Sequence, residues 1–161
     1  MAVDMFLKLE GIEGEAQDDK HKKEIDVLAW SWGASQSGTT HMGGGGGGGK
    51  ASFMDLSVTK YVDSASALLL QHVADGKHIN EGTLFVRKAG GSPLEYIKLK
   101  MEDIIVTSYQ TGGSGGEDRL TENVVLNFSV WTLDYVPQKT DGSGEAPKKA
   151  GWDIAANKTK V

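Results

Sequence analysis

Two glycine-rich segments have the spacing of known chemical motifs, and the first resembles a phosphate-binding loop. Gly44, Gly49 and Lys50 satisfy the pattern GxxxxGK, in which backbone N–H groups and a lysine hold phosphate groups. That motif also needs Ser or Thr at the next position for magnesium, and a helix behind it. The next residue is Ala51, and the residues after it alternate like a strand. The sequence therefore favours a long loop over a nucleotide site.

The second segment, GGSGG at 112–116, fits the GxSxG pattern of a nucleophilic serine. Such a serine lies between a strand and a helix, and its acid and histidine partners follow it in the chain. Here a strand pattern follows instead. All four histidines come before Ser114, at His21, His41, His72 and His78. Other triad orders exist on other folds, but we interpret the segment as a turn between strands and expect no enzyme.

The histidines are the remaining candidates for a metal site. His72 and His78 are separated by the end of a predicted helix, and His72 lies on its apolar face, so we expect a core or interface histidine. His21 stands in the polar run QDDKHKKE, which predicts a solvated loop. The chain has no cysteine, which excludes disulfides, Cys-based zinc sites and thiol catalysis. We therefore expect no metal and no other cofactor.

Composition limits the partners and the location that the chain can have. Its 161 residues include 17 Lys and Arg against 22 Asp and Glu, and the net charge of −5 argues against a nucleic-acid partner. No apolar run approaches the ~18 residues of a membrane span, so we expect no membrane insertion. The N-terminal residues also lack the apolar stretch of a signal peptide. We expect a single domain over 1–161 that leaves the cytoplasm, if at all, by another route.

Apolar residues recur with a period of two along most of the chain, which predicts strands. About seven strands are predicted, near 5–9, 24–32, 54–59, 84–86, 97–101, 104–111 and 120–136, with a final short strand at 152–154. Only 64–74 has helical spacing, with Asp63 or Ser64 as its N-cap and Gly76 as its C-terminal cap. Flexible loops are predicted at about 35–52 and 138–150. The fold class is mainly β, a small antiparallel barrel or sandwich with one flanking α-helix.

Tryptophans on the predicted strands are candidates for a core or for an interface. Trp30 and Trp32 share a face opposite Val27, and Trp131 lies on the second face of the last long strand. Strands that are apolar on both faces fit a core on one side and a neighbouring subunit on the other, where aromatic residues are enriched. The alternative is a monomeric ligand-binding barrel that uses these tryptophans as its platform.

Several long blocks resemble the Hcp family (hemolysin-coregulated protein) of bacterial type VI secretion systems. The resemblance runs from Met1 to about Asn157 and rests on the blocks MAVDMFLKLEGIEGE, EIDVLAWSWGASQSG, LSVTKYVD, FVRKAGG, TGGSGGEDRLTENVVLNF and GWDI. It implies a fold like that of phage tail-tube proteins. It also implies a subunit without catalytic chemistry, six copies of which form a ring that stacks into a hollow tube.

The resemblance also implies partners and an assembly surface. The partners are a homohexamer and stacked rings, a contractile sheath, a spike protein of the VgrG type, and effectors carried in the lumen. Export through the same machine would explain a cytoplasmic protein that is secreted without a signal peptide. The long loop of the family maps to about 35–52 and is expected to lie on a neighbouring subunit or ring. The expected interface residues are Gly43, Gly44, Gly45, Gly46, Gly47, Gly48, Gly49, Trp30, Trp32, Gly90 and Gly91.

Overall fold

The computed structural model describes residues 2–41, 47–90 and 93–161, which form ten strands and one α-helix. In chain order the elements are β1 (Val3–Leu9), β2 (Ile25–Ser31), β3 (Ala34–Ser35), β4 (Ser52–Phe53), β5 (Leu56–Tyr61), α1 (Ser66–Asp75), β6 (Ile79–Lys88), β7 (Leu94–Thr111), β8 (Thr121–Tyr135), β9 (Lys148–Asp153) and β10 (Lys158–Thr159). None of the described helices is long and apolar enough to cross a membrane.

Six strands close into an antiparallel barrel in the order β1, β2, β5, β8, β7, β6, with β6 pairing back onto β1. Closure removes most of the exposed strand edges that an open sheet would present. Strands β9 and β10 extend the sheet outward from β8, and β3 and β4 form a separate two-stranded hairpin. The predicted mainly-β antiparallel barrel with one helix is confirmed.

The barrel interior holds the predicted period-two apolar side chains. Fully buried members from the barrel strands include Ile25, Leu56, Val58, Leu84, Leu99, Met101, Ile104 and Leu126. Burial of one such side chain contributes about 1.5–3 kcal/mol. Leu69 and Ala65, at the start of α1, are also fully buried and pack into the same core.

Helix α1 ends as the sequence predicts. Gly76 has a left-handed backbone (φ 67°), and its N–H donates to the carbonyl of His72 at 3.0 Å. The start lies one to two residues later than predicted, because the N-cap position is Ala65, whose side chain makes no capping bond. Asp63 still contributes, since its Oδ1 accepts the Ala65 N–H at 2.9 Å.

A change of phase in β2 overturns the predicted face of two tryptophans. The register with β5 shifts between Val27 and Ala29, so the alternation of faces restarts after this bulge. Trp30 and Trp32 therefore pack against the same core as Val27 rather than on the opposite face. The period-two pattern could not show this shift, because a bulge adds one residue to one strand without a clear sequence signal.

A second phase change affects β7 and β8. Met101 and Ile104 are three residues apart and both fully buried, and Asp103 between them has φ 55°. The predicted strands 97–101 and 104–111 are thus one bent strand, β7. On β8, Phe128 and Trp131 are likewise three residues apart and both contact the core, so the prediction that Trp131 lies on the face opposite Phe128 was wrong.

The C-terminal strand is longer than predicted. β9 begins at Lys148 and pairs with β8 from Tyr135 to Val130, so the last three residues of the predicted connector 138–150 belong to a strand. The rest of that connector folds into a turn in which Gln138 pairs with Gly144. The pairing explains why Trp152 lies directly beside Trp131.

Candidate assembly surfaces

A two-stranded hairpin, here called the arm, extends from the barrel between β2 and β5. Ala34 and Ser35 pair with Phe53 and Ser52, and Gly38 pairs with Gly48 farther out. All described residues from 36 to 50 are exposed. A hairpin whose described outer residues are all exposed is suited to contact a second molecule.

The predicted interface glycines fall partly on the arm. Gly47, Gly48 and Gly49 form its returning side, and the Gly49 N–H donates to the Ser37 carbonyl at 3.2 Å. Gly90 lies in an exposed turn after β6 at φ 155°, with no other atom within 4 Å of an added Cβ. The other predicted glycines, Gly43, Gly44, Gly45, Gly46 and Gly91, lie outside the described residues.

Aromatic side chains anchor the base of the arm. The indole N–H of Trp32 donates to the Met54 carbonyl at 2.9 Å, and the Trp32 ring meets Trp131 edge to face at 5.0 Å. Phe53, on β4, packs against the same Trp131 at 5.5 Å. A cavity of about 410 Å³ beside this base is lined by residues of the arm and of the C-terminal segment, namely Gln36, Gly49, Lys50, Ala51, Phe53, Trp152 and Asn157. The tryptophans therefore fix the direction in which the arm leaves the barrel.

Part of one outer face of the barrel is formed by uncharged side chains and is bordered by the carboxylates of Asp26, at the start of β2, and Asp55, which accepts a bond from Asn127 at 2.8 Å. This part, here called the neutral wall, consists of outward residues of β2 after its bulge, of the middle of β5, of the first half of β8 and of the second half of β7. They are Ala29, Ser31, Ser57, Thr59, Ile105, Ser108, Gln110, Asn123, Val125 and Asn127. All are exposed or half-buried, and the Thr59 hydroxyl donates to the Asn123 amide oxygen at 2.7 Å. Such a surface differs from an ordinary solvated sheet face, which carries lysine and glutamate.

The neutral wall has two borders without a neighbouring strand. Among the described residues, β2 pairs with β1 through Ile25 and Asp26 alone, so its residues from Leu28 onward pair on one side with β5. Likewise β7 pairs with β6 up to Ile104, and its later residues pair with β8 alone. Helix α1 is the other described element that packs along β7. Strand borders of this kind are sites where a second chain can add.

A buried polar cluster lies where β5, β8 and α1 meet. Lys60 is fully buried, and its ammonium donates to Glu122 at 2.5 Å, to Asp63 at 2.8 Å and to the Tyr61 carbonyl at 2.8 Å. Glu122 also accepts from the hydroxyl groups of Ser66, at 2.6 Å, and Tyr109. Burial raises the pKa of the Glu122 carboxyl, but these donors outweigh it and hold the pKa below its usual range. Burial, followed by the hydrogen bond to Glu122 and the charge of that carboxylate, raises the pKa of the Tyr109 hydroxyl.

The same cluster supports the GxSxG segment. Tyr109 precedes this segment on β7, Glu122 follows it on β8, and Glu122 lines a cleft of about 370 Å³ beneath the loop. The segment lies between two strands, as the sequence predicts. Among the described residues no histidine is hydrogen-bonded to Ser114, whose carbonyl accepts the Glu117 N–H at 3.2 Å. In the described part of the chain, Ser114 therefore lacks the histidine partner of a catalytic triad.

The run QDDKHKKE is a mostly exposed loop as predicted, but His21 within it is buried, so the prediction of a solvated position was wrong for this residue. Its ring stacks on Phe6 at 4.4 Å, and its two nitrogens face the carboxylates of Glu24, at 2.8 Å, and Glu95. His72 lies in the core as expected, with its Nδ1 bonded to the Leu68 carbonyl at 2.8 Å. Within 2–41, 47–90 and 93–161, no group of three or more His, Asp or Glu side chains is arranged to hold a metal.

Apolar side chains on the helix side add a third surface that could contact a neighbour. On α1, Leu70, Val73 and Leu68 are exposed, with exposed fractions of 51%, 36% and 43%. Val62 and Leu120, joined by a backbone bond of 3.0 Å, are also exposed. Five exposed large aliphatic side chains in these neighbouring segments form an apolar patch of the kind that often contacts another protein.

The sequence and the fold are similar to those of known proteins. The family whose profile matches residues 6–135 is described as "Type VI secretion system effector, Hcp". The protein hcp1 of Pseudomonas aeruginosa is 54% identical over 159 residues, which cover 98% of each chain. The match therefore extends over nearly the whole of both proteins.

Solved structures agree with this similarity. A type six secretion system protein superposes with a TM-score of 0.93 at 35% identity, over 99% of this chain and 100% of its own. Hcp1 from Salmonella typhimurium gives 0.79 at 39% identity, over 99% of both chains. A type VI secretion system effector from Yersinia pestis gives 0.78 at 38%, over 94% of this chain and 100% of its own.

Proposed function

The chain belongs to the Hcp family of type VI secretion proteins, and we propose that it is the repeating subunit of a hollow secretion tube. Six copies form a ring, and rings stack through their faces. The observation that carries this proposal is the neutral wall, a four-stranded surface without charged side chains and with a border on each side that lacks a strand. A head-to-tail contact that joins the β2 border of one copy to the β7 border of the next generates a closed ring.

The dimensions of the wall suit a lumen. If each copy contributes four strands, a ring of six has about 24 strands, spaced at about 4.8 Å. The circumference is then about 115 Å and the diameter about 37 Å, before any strand tilt widens it. A channel of that width accepts a small folded domain. A wall of hydroxyl, amide and short aliphatic side chains lets such a cargo pass without strong charge attraction.

The arm is the proposed contact to an adjacent subunit or ring. Its glycines Gly43 to Gly49, with Gly90 and Gly91 in the turn after β6, are the proposed contact residues. Trp32 and Trp30 support the arm from within their own chain: Trp32 is bonded at its base, and both rings pack against the core. Glycine is suited to this position because a chain without Cβ can lie close against a neighbouring backbone.

The remaining partners follow from the same assembly. We propose that a contractile sheath surrounds the tube and drives it out of the cell. A spike protein of the VgrG type caps its end, and effector proteins are carried in the lumen. The protein is made in the bacterial cytoplasm and is secreted through this machine. Its contribution is mechanical, and it needs no catalytic group.

Long charged side chains on the two borders test the ring contact. Ala29 and Thr107 are exposed in the single chain, so Ala29→Lys and Thr107→Lys leave the fold intact but bury a charge where copies meet. Each variant should sediment as a single chain, whereas the control Asn80→Lys, at an exposed position on β6, should sediment like the wild type. Unchanged sedimentation of both border variants would show that the ring does not close through the wall.

The alternative of a monomeric ligand-binding barrel lacks support from the geometry. A stacking platform needs an exposed, flat aromatic face. Trp30, Trp32 and Trp131 are instead half-buried against the core, and two of them pack on each other at 5.0 Å.

A further inference from the structure

A segment without regular secondary structure connects β1 to β2 in the chain and covers part of the outer face of the barrel. This segment, residues 11–24, is here called the latch segment. Backbone hydrogen bonds join its two halves: the Ala16 N–H donates to the Glu24 carbonyl at 3.0 Å, and the Lys23 N–H donates to the Ala16 carbonyl at 2.9 Å. Its residue His21 is 3% exposed and covers the rings of Phe6 and Phe85.

Two charged contacts hold the latch segment to the barrel. Asp18 accepts two bonds from Arg87 of β6, at 2.6 and 3.0 Å, and Arg87 also reaches Asp4 of β1 at 3.1 Å. The second contact is His21, which binds Glu24 of its own segment through Nδ1 and Glu95 of β7 through Nε2. The Phe6 ring lies between the two contacts, with His21 stacked on it and the Arg87 guanidinium 5.2 Å from its centroid.

The His21 contact depends on a proton in a way that the Asp18 contact does not. Both ring nitrogens face a carboxylate oxygen, and a neutral imidazole has only one N–H to donate. With both carboxylates ionised, the two bonds can exist together only when the ring carries both protons. A neutral ring would leave one half-buried carboxylate facing a lone pair, and Glu24 Oε1 already has no hydrogen-bond partner among the described residues.

The groups around the ring are mostly acidic. The groups that face it are Glu24 of the latch segment, Glu95 and Lys98 of β7, and the neighbouring Asp18, Asp4 and Arg87. Four carboxylates and two cations sum to −2 with a neutral ring and to −1 with the imidazolium. Deprotonation therefore removes one bond and also increases the negative charge of the cluster.

We propose that the latch segment is a proton-dependent latch, closed while His21 binds Glu24 and Glu95 together and loosened at the His21 end when the ring becomes neutral. The Asp18–Arg87 contact stays closed meanwhile, because the hydrogen bond from Arg87 holds the pKa of Asp18 at about 2. Raising the pH thus frees the part of the segment after Asp18 and uncovers Phe6 and Phe85. This device is a property of the single chain and does not depend on tube formation.

Hydrogen exchange of the latch-segment amides tests the proposal. Protection of the Ala16, Lys23 and Glu24 amides, corrected for intrinsic exchange, should fall about tenfold between about pH 5.5 and pH 8.5, the range in which imidazole titrates. Amides of the β5–β8 ladder serve as the internal control and should not change. Wild-type protection that stays constant over this range would overturn the proposal.

Two variants separate the proton effect from simple loss of packing. The amide of His21→Gln cannot take up a proton, so protection of the latch-segment amides in this variant should be low and independent of pH. Glu95→Gln replaces a carboxylate with an amide that can accept from, or donate to, a neutral ring, so its protection should stay high at both pH values. If the His21→Gln chain fails to fold, Glu95→Gln alone decides. A pH dependence in Glu95→Gln as large as that of the wild type contradicts the latch.

Discussion

Lys60 and Glu122 form an ion pair inside the barrel, with neither side chain exposed and Nζ 2.5 Å from Oε1. The pair joins β5 to β8, and through Ser66 and Asp63 it also ties the start of α1 to the sheet. A charged pair this deep is costly to bury, and it is tolerated because every ammonium proton and both carboxylate oxygens have partners.

Removal of one member of this pair should be strongly destabilising. Lys60→Met leaves the Glu122 and Asp63 carboxylates buried without their cation, which should cost about 3–5 kcal/mol of unfolding free energy. Glu122→Gln keeps the shape and should cost about 1–3 kcal/mol. The double variant should cost less than the sum of the two, by about 0.5–3 kcal/mol, in urea unfolding at one fixed protein concentration. Strictly additive costs would contradict a coupled buried pair.

The same carboxylate should make stability depend on acid pH. Burial raises the pKa of Glu122, but the bonds from Lys60, Ser66 and Tyr109 leave it lowered in the folded chain. A lowered folded-state pKa means that its stabilisation is complete above the unfolded-state value of about 4.3 and is lost as the pH falls through the folded-state value. Glu122→Gln should therefore lose less stability than the wild type between about pH 5 and pH 2. Equal losses in both proteins would show that Glu122 is not linked to acid unfolding.

Much of the barrel was predictable because its core strands keep a strict period of two. Lys60 also obeyed that period, since it follows Leu56 and Val58 on the core face, and Glu122 precedes Val124 and Leu126 in the same way. Opposite charges at two core-facing positions were the available signal for the buried pair. That signal is weak in the sequence alone, because a lysine near a strand end is usually solvated.

Features that depend on long-range contacts were not predictable. His21 stands in a run of charged residues, and its burial depends on Glu95, 74 positions later. The bulge in β2 and the bend at Asp103, where φ is 55°, change the phase of their strands, and Trp30, Trp32 and Trp131 lie on the core side as a result. The neutral wall could be recognised only after strand pairing had placed residues from four strands beside one another.

Charge on the turn after β6 should hinder the stacking of rings. Gly90→Glu adds one carboxylate per copy, or six per ring, on an exposed turn where an added Cβ meets no atom. Gly90→Ala is the matched control, because it imposes the same backbone strain at φ 155° without the charge. Electron microscopy should show shorter stacks for Gly90→Glu than for Gly90→Ala, with sedimentation showing intact rings in both. Loss of the ring itself in Gly90→Glu would mean that this turn lies at the contact between copies instead.

Salt should promote stacking of the wild-type protein. Six copies at −5 give a ring with a net charge of −30, so rings repel one another at low ionic strength. At 0.1 M salt this repulsion is screened beyond about 10 Å. Light scattering should therefore report larger particles as salt or protein concentration rises. A fall in particle size with added salt would indicate that attraction between charges, not contact of neutral surfaces, holds the rings together.

The native mass of the pure wild-type protein tests the central claim most directly. A chain of 17.2 kDa that closes a ring of six through the borders of its neutral wall should have a native mass of about 103 kDa, or a multiple of it in stacks. Negative-stain images of the same sample should show rings with a central opening about 37 Å wide. A single 17.2 kDa species at every salt and protein concentration would contradict the account.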